Sequence, residues 1–210
     1  MRSRYACCFW ALTSWRAATL AAVSLGTLAA LGLARRRGPL VAALKLLMLS
    51  PMIVPVILVA VGSYFFLAPL SLTASYSGLI LAHTVIAAPF ALIPVLTALE
   101  VLDPNLARAA AACGATPATA FRRVTLPAIM PAMASGALFA FAASFDDVVI
   151  ALLISGPGQR TLPREMFSGL RDSITPALTA VATIMIVFST TLFLLMQAVQ
   201  RRARRAAARM

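Results

Sequence analysis

Charged residues are scarce in this sequence, and acidic residues are the scarcest. Only 11% of the 210 residues are charged, with 6 Asp and Glu against 18 Lys and Arg. The chain is 61% hydrophobic, with a mean hydropathy of +0.93, so it lacks the polar residues that would cover a soluble domain. The scarcity of charge therefore excludes an ordinary soluble protein and indicates a protein of the lipid bilayer.

Recognisable metal-binding and nucleotide-binding motifs are also missing. Cys7, Cys8 and Cys113 are odd in number and lack metal-ligand spacing. The single histidine, His83, lies in an apolar run, where a lone imidazole is more often a helix-packing residue than a ligand or proton relay. No phosphate-binding loop of the Gly-x-x-x-x-Gly-Lys-Ser/Thr type occurs, so ATP would have to be bound by another polypeptide. We predict no metal and no cofactor.

Five apolar runs have about the length, roughly 20 residues, that a membrane-spanning helix needs. They cover residues 17–34, 46–67, 78–99, 132–154 and 177–199. We therefore predict an all-α integral membrane protein with about five transmembrane helices in one domain, residues 17–199, followed by a basic tail at 200–210.

The net charge of +12 is better explained by membrane topology than by nucleic-acid binding. No basic stretch alternates with the aromatic residues that would stack on bases. We number the links between the five apolar runs in chain order. The first link, the third link and the tail hold 12 basic residues, against 3 in the second and fourth links. Since Lys and Arg are enriched in cytoplasmic loops, the tail and the third link are predicted to be cytosolic. With five spans, the N-terminus would then lie outside.

The N-terminal segment, residues 1–16, fits this topology poorly, because Arg2, Arg4 and Arg16 would lie on the wrong side of the membrane. Residues 5–15 are apolar but too short to span. One interpretation is the apolar region of a signal peptide, although no A-x-A-like cleavage site leads into a soluble segment. The other, which we favour, is that an additional first span is missing.

Prolines within the predicted spans indicate interrupted helices. Pro51 and Pro55 remove two backbone donors about one turn apart, and Pro89 and Pro94 fall in the next span. Such breaks are tolerated where neighbours or a water-filled cavity satisfy the freed carbonyls, which suits a helix that lines a pathway. Ordinary packing kinks are the alternative.

The third link has the most marked pattern. Asp103 and Pro104 are a helix-start signal, residues 106–113 favour a short helix, and Gly114 is a typical helix stop. Residues 116–117 open a second short helix, which residues 126–127 close. We call residues 103–127 the elbow. Such a helix–glycine–helix unit can dock into a groove of a soluble partner, although a plain amphipathic surface loop is also possible.

The elbow carries a motif of paired alanines, a glycine and a Leu-Pro pair at fixed spacing. Its residues are Ala109, Ala110, Gly114, Val124, Leu126 and Pro127. This pattern resembles the EAA loop of binding-protein-dependent ABC importer permeases. In that family the loop forms coupling helices that sit in a cleft of the ATPase. Arg108 stands where the family usually has Glu, and this reversal of charge bears on the strength of coupling or on the identity of the ATPase.

The resemblance extends over about residues 17–199. Residues 144–150, 156–158 and 161–163 are similar to the later part of spermidine/putrescine-type permeases. That family usually has six spans, and the first of them has no counterpart here. The resemblance implies a permease subunit rather than an enzyme, in the bacterial inner membrane. Its implied partners are ATP-binding cassette ATPase subunits, a second permease subunit, an extracytoplasmic solute-binding protein and the lipid bilayer. Its implied substrate is a polyamine, with another small ion or organic solute as the alternative.

Asp146 and Asp147 lie inside or at the outer end of the fourth predicted span, where an ionised side chain is costly. They could line the pathway and attract a cationic substrate. Alternatively, one of them could cap the helix or pair with Arg160 or Arg164. A membrane-embedded enzyme would need these aspartates or Ser144 to be catalytic. That hypothesis has little support, because no histidine is expected near them and no HExxH or GxSxG signature occurs.

Overall fold

The computed structural model describes residues 2–156, 159, 161–172 and 176–207. Within these residues all regular elements are helical. They are α1 (Arg2–Leu33), α2 (Pro39–Ile53), α3 (Val56–Leu67), α4 (Tyr76–Val101), α5 (Asn105–Ala112), α6 (Pro117–Ala120), a π turn (Phe121–Thr125), α7 (Leu126–Phe145), α8 (Val149–Ile154), α9 (Leu162–Asp172) and α10 (Pro176–Ala207).

The long apolar helices follow the five predicted runs in order. Within the part of the chain that the structure describes, three are long and apolar enough to cross a membrane: Thr13–Leu33, Tyr76–Val101 and Pro117–Phe145. Helices α2 and α3 make a fourth span if they are counted together, and α10 contains a shorter apolar segment, Thr179–Leu195. The prediction of an all-α integral membrane fold is confirmed. Helix α1 begins at Arg2, so residues 2–16 are continuous with the first of these spans.

Small residues at the junction of α1, α4 and α7 let the three helix backbones approach closely. The buried side chains at this junction are Ala22, Ala87, Ala91 and Ala140. A Cβ added to Gly136 on α7 would lie 3.1 Å from both the Cα and the carbonyl oxygen of Ala91. A Cβ added to Gly26 on α1 would lie 3.0 Å from the nitrogen of Leu92. Because lipid is as apolar as the side chains, this close packing is a main source of helix association in a bilayer.

Two interruptions shape the helices near the centre of the fold. Between α2 and α3 the chain bends by 108°. Val54 is extended there, with φ −74° and ψ 136°, because a residue before proline avoids the helical region and Pro55 follows. The second interruption lies between α7 and α8, at residues 146–148. Pro89 and Pro94, in contrast, lie inside the unbroken helix α4, so the expected interruption occurs at only one of the two proline pairs.

One predicted boundary is wrong. The second arm of the elbow does not close at Leu126 and Pro127, because the helix continues from α6 through the π turn into α7. The π turn precedes Pro127, which has no N–H to donate to the helix ladder, and the wider turn accommodates that interruption. The fourth span therefore starts before residue 132, and the second arm of the elbow is continuous with it.

The tight junction yields a test of packing. We expect Gly136→Val to lower the free energy of unfolding by about 1–3 kcal/mol, because the added atoms meet the backbone of α4 rather than a flexible side chain. Thermal unfolding in detergent measures the change. Gly32→Val is the matched control, since nothing lies within 4 Å of a Cβ added there. Equal melting temperatures for the two variants would contradict this account.

Candidate functional site

A cavity of about 780 Å³ lies between the bent pair α2–α3 and helices α4, α7 and α10. Most of its lining is apolar, and four phenylalanines contribute to it: Phe90, Phe139, Phe145 and Phe193. The extended residues between α2 and α3 form one wall. The only carboxylates that line it within the described residues are Asp146 and Asp147, at the break between α7 and α8.

The two aspartates occupy different environments. Asp146 ends α7 as its C-cap and is exposed to the cavity. The Asp147 side chain is only 6% exposed, and its Oδ2 accepts a hydrogen bond of 2.9 Å from the N–H of Ile150, in the first turn of α8. Asp147 thus caps α8, as one of the two alternatives for this pair anticipated, while Asp146 remains available to the cavity.

The predicted pairing of an aspartate with Arg164 is not what the structure shows. The Arg164 guanidinium donates hydrogen bonds to Ser155 Oγ and to the carbonyl of Gly156, both at 2.8 Å. It also donates to the carbonyl of Gln159 at 3.3 Å. Arg164 therefore links the start of α9 to the end of α8 by hydrogen bonds. Arg160 lies outside the described residues.

A histidine does lie beside the acidic pair, contrary to the expectation from the sequence. His83, on α4, is completely buried, and its Nε2 lies 3.6 Å from Oδ2 of Asp147. Sequence separation concealed this neighbour, because α4 and α8 meet only after the chain has folded back past the elbow. The four phenylalanines of the cavity were also missed, since apolar residues in a span carry no signal of which ones face a cavity.

The first arm of the elbow has the geometry that its sequence predicts. Helix α5 ends in a Schellman motif: the N–H of Ala115 bonds the carbonyl of Ala110 at 3.0 Å, and the N–H of Gly114 bonds that of Ala111 at 2.9 Å. Gly114 has φ +82°, which favours glycine. Thr116 then caps the second arm, since its Oγ1 accepts from the N–H of Thr119 at 3.3 Å.

The outer surface of the elbow consists of small and exposed residues. Ala109 and Gly114 are exposed, and Ala110 is half-buried. Arg108 is exposed and donates a hydrogen bond of 3.2 Å from Nη1 to Oδ1 of Asn105. The Leu126 and Val124 side chains are half-buried where the second arm joins α7, and Pro127 is exposed. The motif residues thus divide into an outward face and an attachment to the membrane helix.

An ion pair joins two helices at the end of the bundle from which the elbow emerges. Lys45 Nζ of α2 lies 2.7 Å from Oε1 of Glu100, near the end of α4. Both side chains are partly exposed, so the pair adds little stability, typically up to about 1 kcal/mol for an exposed pair. The ion pair is informative about geometry, because it shows that the first and third links lie at the same end of the helices.

A multi-span helical bundle with a central cavity and an elbow at one end is the architecture of a membrane transport component. The chain belongs to the family described as binding-protein-dependent transport system inner membrane component, whose pattern matches residues 22–205. It is a multi-pass inner membrane protein and a permease subunit of an importer, and the predicted family is confirmed. Membership implies, in general terms, that ATPase subunits and a solute-binding protein are partners.

Three curated relatives illustrate the similarity. A spermidine/putrescine transport system permease protein of Haemophilus influenzae is 34% identical over 186 residues, covering 89% of this chain and 72% of the relative. A putrescine transport system permease protein of Escherichia coli K12 is 42% identical over 106 residues, 50% of this chain and 38% of that protein. A molybdenum transport system permease protein of Mycobacterium bovis is 34% identical over 166 residues, 72% of this chain and 63% of that protein.

Proposed function

We propose that this permease subunit imports a polyamine such as spermidine or putrescine. The observation that carries the proposal is the exposed carboxylate of Asp146 in a cavity lined mainly by apolar and aromatic side chains. A polyamine is a chain in which runs of methylene groups separate ammonium groups. A carboxylate compensates an ammonium that has left water, and phenylalanine faces attract both the cation and the methylenes. The names of the first two relatives support the same substrate class.

The molybdenum relative provides a specific alternative, an oxyanion substrate. A cavity that binds an anion would need donors or positive charge, whereas the described charged groups that line this cavity are two aspartates. The lining therefore favours a cation. Competition of labelled spermidine uptake by unlabelled putrescine and by molybdate distinguishes these two substrates.

The elbow is the proposed docking site for an ATP-binding cassette ATPase. The exposed surface of Ala109 and Gly114 permits close approach, and Arg108 presents a positive charge beside them. Because Arg108 replaces the Glu that the family usually has, we infer that the groove of the partner offers an acidic or polar group complementary to the guanidinium. Coupling depends on the shape of the elbow, which the glycine turn determines.

A second permease subunit and lipid are proposed to cover the outer face of α2 and α3. No residue of helix α2 is fully buried against the rest of the described chain. Large apolar side chains remain exposed on both helices, including Ile53 at 71% and Phe66 at 72%. This face also borders the cavity at the bend between α2 and α3. A second subunit placed here would close the pathway.

The orientation proposed from the basic residues puts the elbow and the tail in the cytosol and residues 156–176 outside. Cys113 is exposed on the elbow and serves as a natural probe once Cys7 and Cys8 are replaced by alanine. We expect a membrane-impermeant maleimide to label it in inside-out vesicles and not in intact cells. Ser77→Cys in a Cys113→Ala background should give the reverse pattern, and labelling of Cys113 from outside would overturn the orientation.

The glycine turn provides a test of coupling. Gly114→Val should weaken recovery of the ATPase and lower uptake, because a β-branched residue is strained at φ +82° and the Schellman turn would open. Membrane insertion should be unaffected. Gly114→Asn is the matched variant, since asparagine tolerates the left-handed region, and it should show a smaller loss. Undiminished co-purification and uptake in the valine variant would contradict the assigned role.

The acidic pair provides a test of substrate charge. Asp146→Asn should weaken polyamine transport by about 1–3 kcal/mol in kcat/KM at normal membrane abundance, the scale of a charge-assisted hydrogen bond. Asp147→Asn should in addition reduce thermal stability, because that side chain is buried and caps α8. Uptake of labelled spermidine and putrescine, normalised to abundance, checks both variants. Wild-type kcat/KM in Asp146→Asn would remove the main structural reason for a cationic substrate.

A further inference from the structure

The hydrogen-bond partner of one His83 nitrogen determines whether that nitrogen carries a proton. Nδ1 lies 2.9 Å from the carbonyl oxygen of Leu79, one turn earlier in α4. A carbonyl oxygen can only accept a hydrogen bond, so Nδ1 must carry the proton of this contact. In a neutral imidazole, the other nitrogen would then have a lone pair and no hydrogen.

That other nitrogen, Nε2, faces an acceptor. It lies 3.6 Å from Oδ2 of Asp147, and the same oxygen accepts from the N–H of Ile150. The His83 side chain is 0% exposed and that of Asp147 is 6% exposed, so both groups are largely removed from bulk water. Two acceptors facing each other in a buried site are unfavourable. One proton between Nε2 and the carboxyl group removes the conflict.

This proton also determines the charge of the cavity. With the proton on Nε2, an imidazolium faces a carboxylate, and with the proton on the carboxyl group, two neutral groups face each other. The pair has no net charge in either arrangement. Without the proton, a buried negative charge would stay uncompensated. Asp146 is then the one net negative charge among the described groups that line the cavity.

We propose that His83 is a positioning residue of the pathway, holding a proton between Nε2 and the carboxyl group of Asp147. Asp147 lies 3.6 Å from Nε2 of His83 on α4 and accepts a hydrogen bond from Ile150 of α8. It therefore fixes the break between α7 and α8, and the adjacent Asp146 is directed into the cavity. The inference rests on the proposed function only for its uptake measurement.

Two conservative variants separate the contacts of the imidazole. The amide nitrogen of glutamine can occupy the position of Nε2, whereas that of asparagine can occupy the position of Nδ1. His83→Asn therefore keeps a donor for Leu79 and loses the contact with Asp147, and we expect about tenfold lower polyamine uptake per transporter. His83→Gln supplies a permanent donor to Asp147, and its uptake should lie closer to wild type than to the asparagine variant. In an Asp147→Asn background, His83→Asn should add little further loss.

Wild-type uptake in His83→Asn, or equal losses in the two variants, would overturn the proposal. So would a further tenfold loss in the Asp147→Asn background, because His83 would then act independently of Asp147.

Nitrogen NMR provides a measurement that needs no substrate and no change to His83 itself. His83 is the only histidine of the chain, so ¹⁵N-histidine labelling of this subunit, assembled with unlabelled partners in nanodiscs, gives one imidazole. We expect Nδ1 to be protonated and the Nε2 signal to shift in Asp147→Asn. A neutral ring protonated on Nε2 alone, or an Nε2 signal unchanged in that variant, would overturn the proposal. If instead wild-type polyamine uptake is absent while the NMR result is as expected, the substrate assignment fails and the proton assignment stands.

Discussion

Polar groups inside a bilayer must find their partners within the protein, and the central part of this structure depends on that constraint. The chain interrupts its helices twice beside the cavity, and each interruption frees backbone groups that lipid cannot satisfy. At α2–α3 the N–H of Val54 still bonds the carbonyl of Ser50 at 3.0 Å. At α7–α8 the Asp147 carboxylate accepts from the N–H of Ile150. Irregular backbone is thus tolerated where it lines a cavity.

Helix α4 supports both interruptions. It packs closely against α1 and α7 through Ala91, which lies against glycines of both neighbours. The same helix carries His83 to the α7–α8 break and Glu100 to the ion pair with α2. Its two internal prolines leave it unbroken, so it behaves as a single element of 26 residues. The positions of the acidic pair and of the elbow therefore both depend on α4.

The sequence was sufficient for features that depend on local chemistry. Apolar runs of spanning length predicted the helices, and Gly114 predicted the turn of the elbow because few other residues adopt its backbone conformation. Features that depend on tertiary contacts were not predictable. Nothing local indicates that Asp147 would be buried beside His83 while Asp146 faces a cavity. The continuation of α7 through Pro127 was also missed, because a π turn accommodates a proline that would ordinarily suggest a boundary.

The unbroken path from the elbow into α7 has a mechanical consequence. Residues Pro117 to Phe145 form one helical stretch of 29 residues, roughly 43 Å long at about 1.5 Å per residue. One end of this lever lies in the elbow, and the other ends beside Asp146. A stiff lever converts a small tilt at one end into a displacement at the other without any change in its own hydrogen bonding. The π turn, wider than the helix around it, is the point where such a lever can flex, so its stiffness would determine how much of a push at the elbow arrives at the carboxylate.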